Sequence, residues 1–443
     1  MLSFFLVACG DDAPKGSDSL LHDIDVTAPD TSDTADTGTA DTDVDTSTTD
    51  TDIADTSEPD TDTADTTQPD TSDTADTSEP DTVKPTCVTL PVGHTRHIVV
   101  SRPYDEHGDP STHWETYPLR TDATLGPRTA SFSLGAAGRA VGGKVAFTED
   151  GALALAAHDR GEVSVFAIDG DGGVKVIQPA TDLGPYVGSI VVRGDDVFLV
   201  DSNWQNNGGG IYHSKLACDG ALSTPTLLYP TKLAYGLTLL DTANGLEHLV
   251  MAREAVDTTS GYVHRVLLRG STWTRAASVD VFGDADAITP AMAVTPDGRY
   301  VVVADHSEFS GVPNRIGIAS LDPMDTRQVL TPFDDPYDLV ASPHNDAVLA
   351  VLGYANRVTV LKYDADAANP FTNAGYPTFS GQVPQLPSDA VRLHGDHEDI
   401  VYVVENTALR VFRFNGDGTV TDLGRQLFGS GLTSIPGAIG AQP

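Results

Sequence analysis

The sequence predicts an all-β fold, a ring of seven four-stranded sheets, and three observations carry that prediction. From Cys87 onward, short β-branched runs are cut by Gly, Asp, Asn and Pro, with no sustained helical period. Pairs of apolar strands joined by a turn recur as "TEDGALALAAHD", "VRGDDVFLVDSN", "TANGLEHLVMARE", "TPDGRYVVVADH", "SPHNDAVLAVLGY" and "HGDHEDIVYVVEN". Each pair is followed by a third alternating strand, such as "EVSVFAID" or "RIGIASLD", and then a fourth, such as "GVKVIQP". The turns lie about 45 to 55 residues apart, the spacing of one four-stranded blade repeated around a seven-bladed β-propeller.

Residues 1–9 read as a short secretory signal. Leu6-Val7-Ala8-Cys9 resembles a bacterial lipobox, in which the Cys is acylated and becomes the new N-terminus, so Cys9 is the expected lipidation site. The stretch lacks a basic region and its apolar run is short; a start placed too far downstream would account for both departures, and the alternative is a chance apolar N-terminus.

Residues 10–86 form an Asp/Thr-rich segment punctuated by Pro59, Pro69 and Pro80. Residues 11–86 hold 23 acidic residues and two Lys, a charge of -21 out of the chain's -38. With too little apolar surface to offset the entropy of ordering, this linker is expected to be a disordered, charge-extended stalk. A calcium loop at "DTDVD" (41–45) is disfavoured, because Thr46 and Asp52 stand where Gly and Glu belong. The overall charge also argues against nucleic acid and anionic membrane surfaces as partners.

Residues 87–443 carry the propeller. Six units begin near Lys144, Ser189, Gly236, Ala291, Tyr337 and Ser388. Asp150-Gly151, Asn244-Gly245 and Asp297-Gly298 supply the positive-φ residues expected of two-residue hairpin turns. Segments 97–105, 113–120 and 129–135 fit second, third and fourth strands without a first. "TSIPGAIG" (433–440) is spaced to be that missing innermost strand, so both ends of the domain would close one blade. Cys87 and Cys218, the two cysteines beyond Cys9, are expected to form a disulfide on the face away from the ligand mouth.

Residues 289–322 and 336–364 resemble the YVTN type of repeat found in bacterial surface proteins and in the lactonase-like seven-bladed propellers. The resemblance covers most of residues 90–443 and describes blades rather than a site. It implies a ligand mouth around one end of the central channel and, in the lactonase-like branch, hydrolysis.

The ends of the second strands would place Arg102, His158, Asp159, Asp201, Asn203, Arg253, Glu254, Asp305, His306, Tyr354, Glu405 and Asn406 in one ring at that mouth. Asp201, Asp305, His306 and Glu405 are the candidates for general-base work. Their carboxylates could also hold a divalent cation, although no cofactor is expected. A strand emerging into water produces such ends without any chemistry. Trp204 could be a stacking platform for a sugar, or a loop residue covering its neighbour. "GRAVGGK" (138–144) lacks the Ser or Thr and the following helix of a phosphate loop, and "HGDH" (394–397) lacks the helix and Glu of a zinc site.

The leading expectation is a monomeric cell-envelope lipoprotein, at the outer membrane and periplasmic or surface-exposed, whose propeller binds a protein or glycan. The alternative is a lactonase-like hydrolase acting at the mouth.

Overall fold

The computed structural model describes residues 86–104, 109–138, 145–202, 209–242, 245–252, 262–269, 272–283, 291–306, 314–331, 333–353, 355–428 and 437–443. The signal with Cys9, the linker through residue 85 with its "DTDVD" stretch, and Asn203, Trp204, Arg253, Glu254 and Tyr354 lie outside them. Among the described residues no helix is long and apolar enough to cross a membrane.

Among the described residues, twenty-eight strands form seven four-stranded antiparallel sheets. Blade one runs from Val145 to Thr181, blade two from Val187 to Pro230, blade three from Gly236 to Asp280, blade four from Met292 to Leu330, blade five from Pro336 to Gly375 and blade six from Asp389 to Leu427. Every start lies within two residues of its expected position. The seventh sheet draws its innermost strand, Ile439–Ala441, from the far end of the domain and sets it beside Arg96–Tyr104, followed by Pro110–Leu119 and Ala130–Ser133. Three residue pairs hold this closure: Ile98 with Ala441, Val99 with Gly440 and Val100 with Ile439.

The first hairpins of blades two and three close across two residues, Arg193 pairing with Asp196 and Thr242 with Gly245, but those of blades one and four are wider. Thr148 pairs with Leu153 and Thr295 with Tyr300, leaving four residues between. In each, the Gly N–H reaches the Thr carbonyl at 2.8 Å, and the glycine takes a φ of 70° at Gly151 and 67° at Gly298. The Thr hydroxyl donates to the turn aspartate at 2.7 Å (Asp150) and 2.6 Å (Asp297). Thr and Asp together replace the backbone bonds a tighter turn would have made.

Seven apolar clusters account for the core, one in each space between neighbouring blades. Both faces of every sheet are therefore buried, as in the second strand of blade four, Tyr300–Asp305, where all six residues are buried. Val301 and Val303 pack toward blade three, whereas Tyr300, Val302 and Ala304 pack toward blade five. This alternation decides where the polar strand ends point.

Cys87 and Cys218 are joined by a disulfide. Cys218 lies in the turn between Gly210–Lys215 and Thr226–Pro230, on the same end of the ring as the first hairpin turns and opposite the second-to-third-strand loops. The Val88 N–H donates to the Cys218 carbonyl at 2.8 Å, so the incoming segment is strapped onto blade two.

Candidate functional site

The polar ends expected around the mouth occupy one structural position, but it is an interior one. Asp195, Arg299, Asp346 and Asp399 each offer a carbonyl to the third strand of their blade, which fixes a common register. Six residues beyond them stand Asp201, Asp305, Leu352 and Glu405, all buried. His158 stands ten residues past Thr148, as Asp305 stands ten past Thr295, and is likewise buried. The alternation of the strand turns these side chains toward the preceding blade, and the next residue in each case toward the following one.

The expectation of an open ring is therefore corrected for the described residues. Asp305 takes a forked contact from Arg315, Nε at 2.6 Å and Nη2 at 2.5 Å, with the guanidinium 4.7 Å over the Phe282 ring. Glu405 pairs with Arg410 Nε, whose Nη1 also meets Asp422 at 2.6 Å and whose Nη2 donates to the Gln382 carbonyl at 2.6 Å. Burial pushes the Glu405 carboxyl above its ordinary range, against the opposing pull of Arg410. Arg102 donates to the Asn406 carbonyl at 2.9 Å and lies 3.9 Å over Phe428, joining blade seven to blade six. These groups pin strands and blades together.

His158 makes a 2.6 Å contact from Nε2 to the Ser164 hydroxyl and a 3.3 Å contact from Nδ1 to the Ala137 carbonyl. The spacing suits a base and nucleophile, yet both side chains are fully buried, and burial lowers the imidazole pKa and keeps it neutral. This pair is a structural pin too. Asp159 is half-buried and its carbonyl accepts from the Tyr186 hydroxyl at 2.6 Å. Asp201 ends its strand paired to both Val187 and Gly210.

His306 differs. Its Nε2 lies 2.7 Å from Asp335 Oδ1, and its ring centroid is 5.1 Å from that of Tyr337. The imidazole comes from the end of the second strand of blade four, while Asp335 and Tyr337 lead into the innermost strand of blade five, so the cluster bridges two blades on the mouth side. Asp305 and His306 are thus not partners: each serves a different neighbour. Asp335 holds a φ of 57°, a left-handed backbone that an Asp tolerates better than most residues.

The sequence reading missed Asp335 and Tyr337, and also two aspartates around the channel. Asp338 accepts from the Ala390 N–H at 2.9 Å, and Asp389 from the Ile439 N–H at 3.2 Å, each reaching from one innermost strand to the next. The repeated "PYD" (336–338) and "PSD" (387–389) were the available signal. Among the described residues no group of three or more His, Cys, Asp or Glu is arranged to hold a metal ion.

No protein-family model and no curated protein matches the chain. Solved structures do match. A protein assigned as a 6-phosphogluconolactonase of Bacteroides uniformis superposes with a TM-score of 0.58 at 12% identity, covering 79% of this chain and 99% of its own. Its counterpart from Bacteroides fragilis gives 0.57 at 12% identity over 79% and 98%. The periplasmic gluconolactonase of Pseudomonas aeruginosa gives 0.54 at 14% identity over 79% and 99%. At such identities the likeness speaks for architecture alone: this chain is a seven-bladed β-propeller whose structural neighbours include proteins named as lactonases.

Proposed function

We propose that this chain is a lipid-anchored protein of the cell envelope, in which an acidic stalk presents the propeller to bind a protein or glycan. The observation that carries the reading is the Cys87–Cys218 disulfide, because such a bond persists in oxidising compartments outside the cytoplasm. The lipobox-like stretch before Cys9 and the acidic linker support the same address. Binding is favoured over chemistry because Asp305 and Glu405, two of the carboxylates a hydrolytic mouth would use, are engaged with buried arginines. Labelling with a fatty-acid analogue tests the anchor: the wild-type chain should incorporate it and Cys9→Ser should not. Immobilised full-length protein presented with envelope glycans and envelope proteins tests the binding, and retention of neither would overturn it.

A lactonase-like hydrolase is the second reading, favoured by the His306–Asp335 contact at the mouth side. There Asp335 would orient the imidazole and His306 would take a proton from water as it adds to a lactone carbonyl, the ring oxygen then leaving as a hydroxyl. A lactone panel separates the two: turnover abolished by His306→Asn establishes hydrolysis, and no turnover by the wild type removes it.

A further inference from the structure

The seam between blades two and three is built unlike its neighbours. Its apolar cluster holds six buried residues, the fewest of the seven among the described residues. Hydrogen bonds lace the seams on either side: the Val187 N–H donates to the Gly161 carbonyl at 3.2 Å between blades one and two, and Arg265 Nη1 to the Leu321 carbonyl at 2.7 Å between blades three and four. Between blades two and three, rings meet. The Phe198 centroid of blade two lies 4.7 Å from that of His248 and 6.1 Å from that of Trp273, and Tyr229 of blade two lies 6.5 Å from His264.

Both imidazoles belong to blade three and both are buried. A second ring of the same blade backs each, Trp273 at 3.9 Å for His248 and Tyr262 at 5.8 Å for His264. Among the described side chains, strand alternation turns Arg193, Asp196, His213 and Lys215 of blade two toward this seam, and Arg275 and Asp280 of blade three. The fourth strand of blade two, Thr226–Pro230, adds only the Tyr229 hydroxyl. Asp196 is engaged by His213 at 2.6 Å and Lys215 at 2.7 Å, and Asp280 accepts from the Gly283 N–H at 3.0 Å. The charges that act on the two buried rings are cations, Arg193 on His248 and Arg275 on His264. Burial first, and like charge second, therefore resist a proton there and lower the pKa values to about 3 and about 4. His158, buried between blades seven and one, is by contrast held on both nitrogens by Ser164 and the Ala137 carbonyl.

We propose that this seam is an acid-sensitive joint: protonation of His248 and His264 parts blade two from blade three while the other seams stay closed, so the ring opens there reversibly before it unfolds. Opening brings both imidazoles to water, where they ionise near the ordinary value of 6.5. At pH 4.5, two units lower, each ring tilts the balance toward the open form by up to about a hundredfold. The seam has little apolar area to set against that shift, whereas the Cys87–Cys218 disulfide keeps the arc from blade seven to blade two together. Local opening of this kind belongs to the least stabilised unit of a fold.

The experiment is hydroxyl-radical footprinting of the full-length disulfide-bonded protein between pH 7.5 and pH 4, read by mass spectrometry at single side chains. Oxidation of Phe198, His248 and Trp273 should rise in acid and return to its starting level at pH 7.5. Phe371, Phe412 and Tyr402, buried in three other seams, should stay protected throughout. His248→Gln with His264→Gln should lose the acid response. Arg275→Gln changes an exposed side chain and leaves the packing alone; by removing a cation that opposes the proton on His264, it should move the response to lower pH, and it serves as the test where the double variant does not fold. Simultaneous oxidation of all these side chains would mean global unfolding and overturn the joint. Protection of Phe198 and Trp273 down to pH 4 would overturn it too, as would a response kept at the wild-type pH in both variants.

Discussion

The side-chain amide of Gln442 donates to the carbonyl of Gly151 at 3.0 Å, reaching across the join between blade seven and blade one. The same side chain accepts from the His97 N–H at 3.0 Å, and the Gln442 carbonyl accepts from Arg96 Nε at 3.0 Å. The innermost strand at this join pairs through only three residues, so the glutamine extends the closure beyond the sheet. Gln442→Ala leaves a buried N–H and carbonyls without their partner and should lower stability by about 1–3 kcal/mol. Denaturant unfolding with an unchanged slope would register it; a midpoint equal to wild type would mean that strand pairing alone closes the ring.

The disulfide acts across the same region from outside. It links the segment before blade seven to blade two over a sequence separation of 131 residues and so passes over blade one. Constraining a loop of that length restricts the unfolded chain by about 4–5 kcal/mol in the chain-entropy picture, an upper figure for what Cys87→Ser with Cys218→Ser should remove. Mass spectrometry after alkylation should find neither thiol reactive in the unreduced protein. Two alkylated cysteines there would show that the strap is not covalent in solution.

Much of this architecture was legible because a blade repeats its grammar. Thr148 and Thr295 open the same turn, and the six strand pairs fall at one spacing, so the ring could be read from residues near each other in sequence, and its mixed closing blade from the one innermost strand that the repeat left missing. The site was not legible for the same reason. A run such as "YVVVADH" shows that Asp305 and His306 end a strand, but not that one faces Arg315 and the other Asp335, since that depends on which neighbouring blade each side of the sheet meets. Asp335 sits in an inter-blade loop whose partner is roughly thirty residues away, a distance over which periodicity says nothing.

If Asp305 is a pin, its removal should cost stability rather than activity. Asp305→Ala leaves Arg315 charged and enclosed, and breaking such a pair typically costs about 3–5 kcal/mol. Leucine already occupies the matching position in blade five as Leu352, buried. The double variant Asp305→Leu with Arg315→Leu should therefore recover most of the loss. A double variant as unstable as the single one would argue for a role beyond the pair.

Glu405 should behave differently from Asp305, because Arg410 is shared with Asp422. The folded carboxyl is shifted upward by burial, so the native state holds that proton more tightly than the unfolded chain does. Its contribution to stability therefore grows as pH falls from above the raised value toward the ordinary glutamate range, and is lost as pH rises again. Glu405→Gln should flatten that part of the stability profile and be tolerated at pH 8, while Arg410→Ala, which strands two carboxylates, should destabilise strongly. Urea midpoints between pH 4 and pH 8 distinguish them; an equal penalty for both at pH 8 would show that Glu405 is needed in its charged form.

Two interior histidines should set an opposite trend in acid. His248 is fully buried between the Phe198 ring, with centroids 4.7 Å apart, and the Trp273 ring at 3.9 Å, with no hydrogen-bond partner on either nitrogen among the described residues. Burial lowers its pKa to about 3, with Arg193 adding to the effect, and lowers that of His264 to about 4. The unfolded chain protonates both near pH 6.5, whereas the folded protein resists until pH 3 to 4, so stability is full above pH 6.5 and falls through that window. Each unit of displacement corresponds to about 1.4 kcal/mol, so these two residues should contribute to acid unfolding. His248→Gln, similar in size and unable to titrate, should shallow the decline between pH 6 and pH 4 relative to wild type. Parallel profiles for the two proteins would place the acid sensitivity in other groups and imply that the His248 imidazole can ionise where it sits.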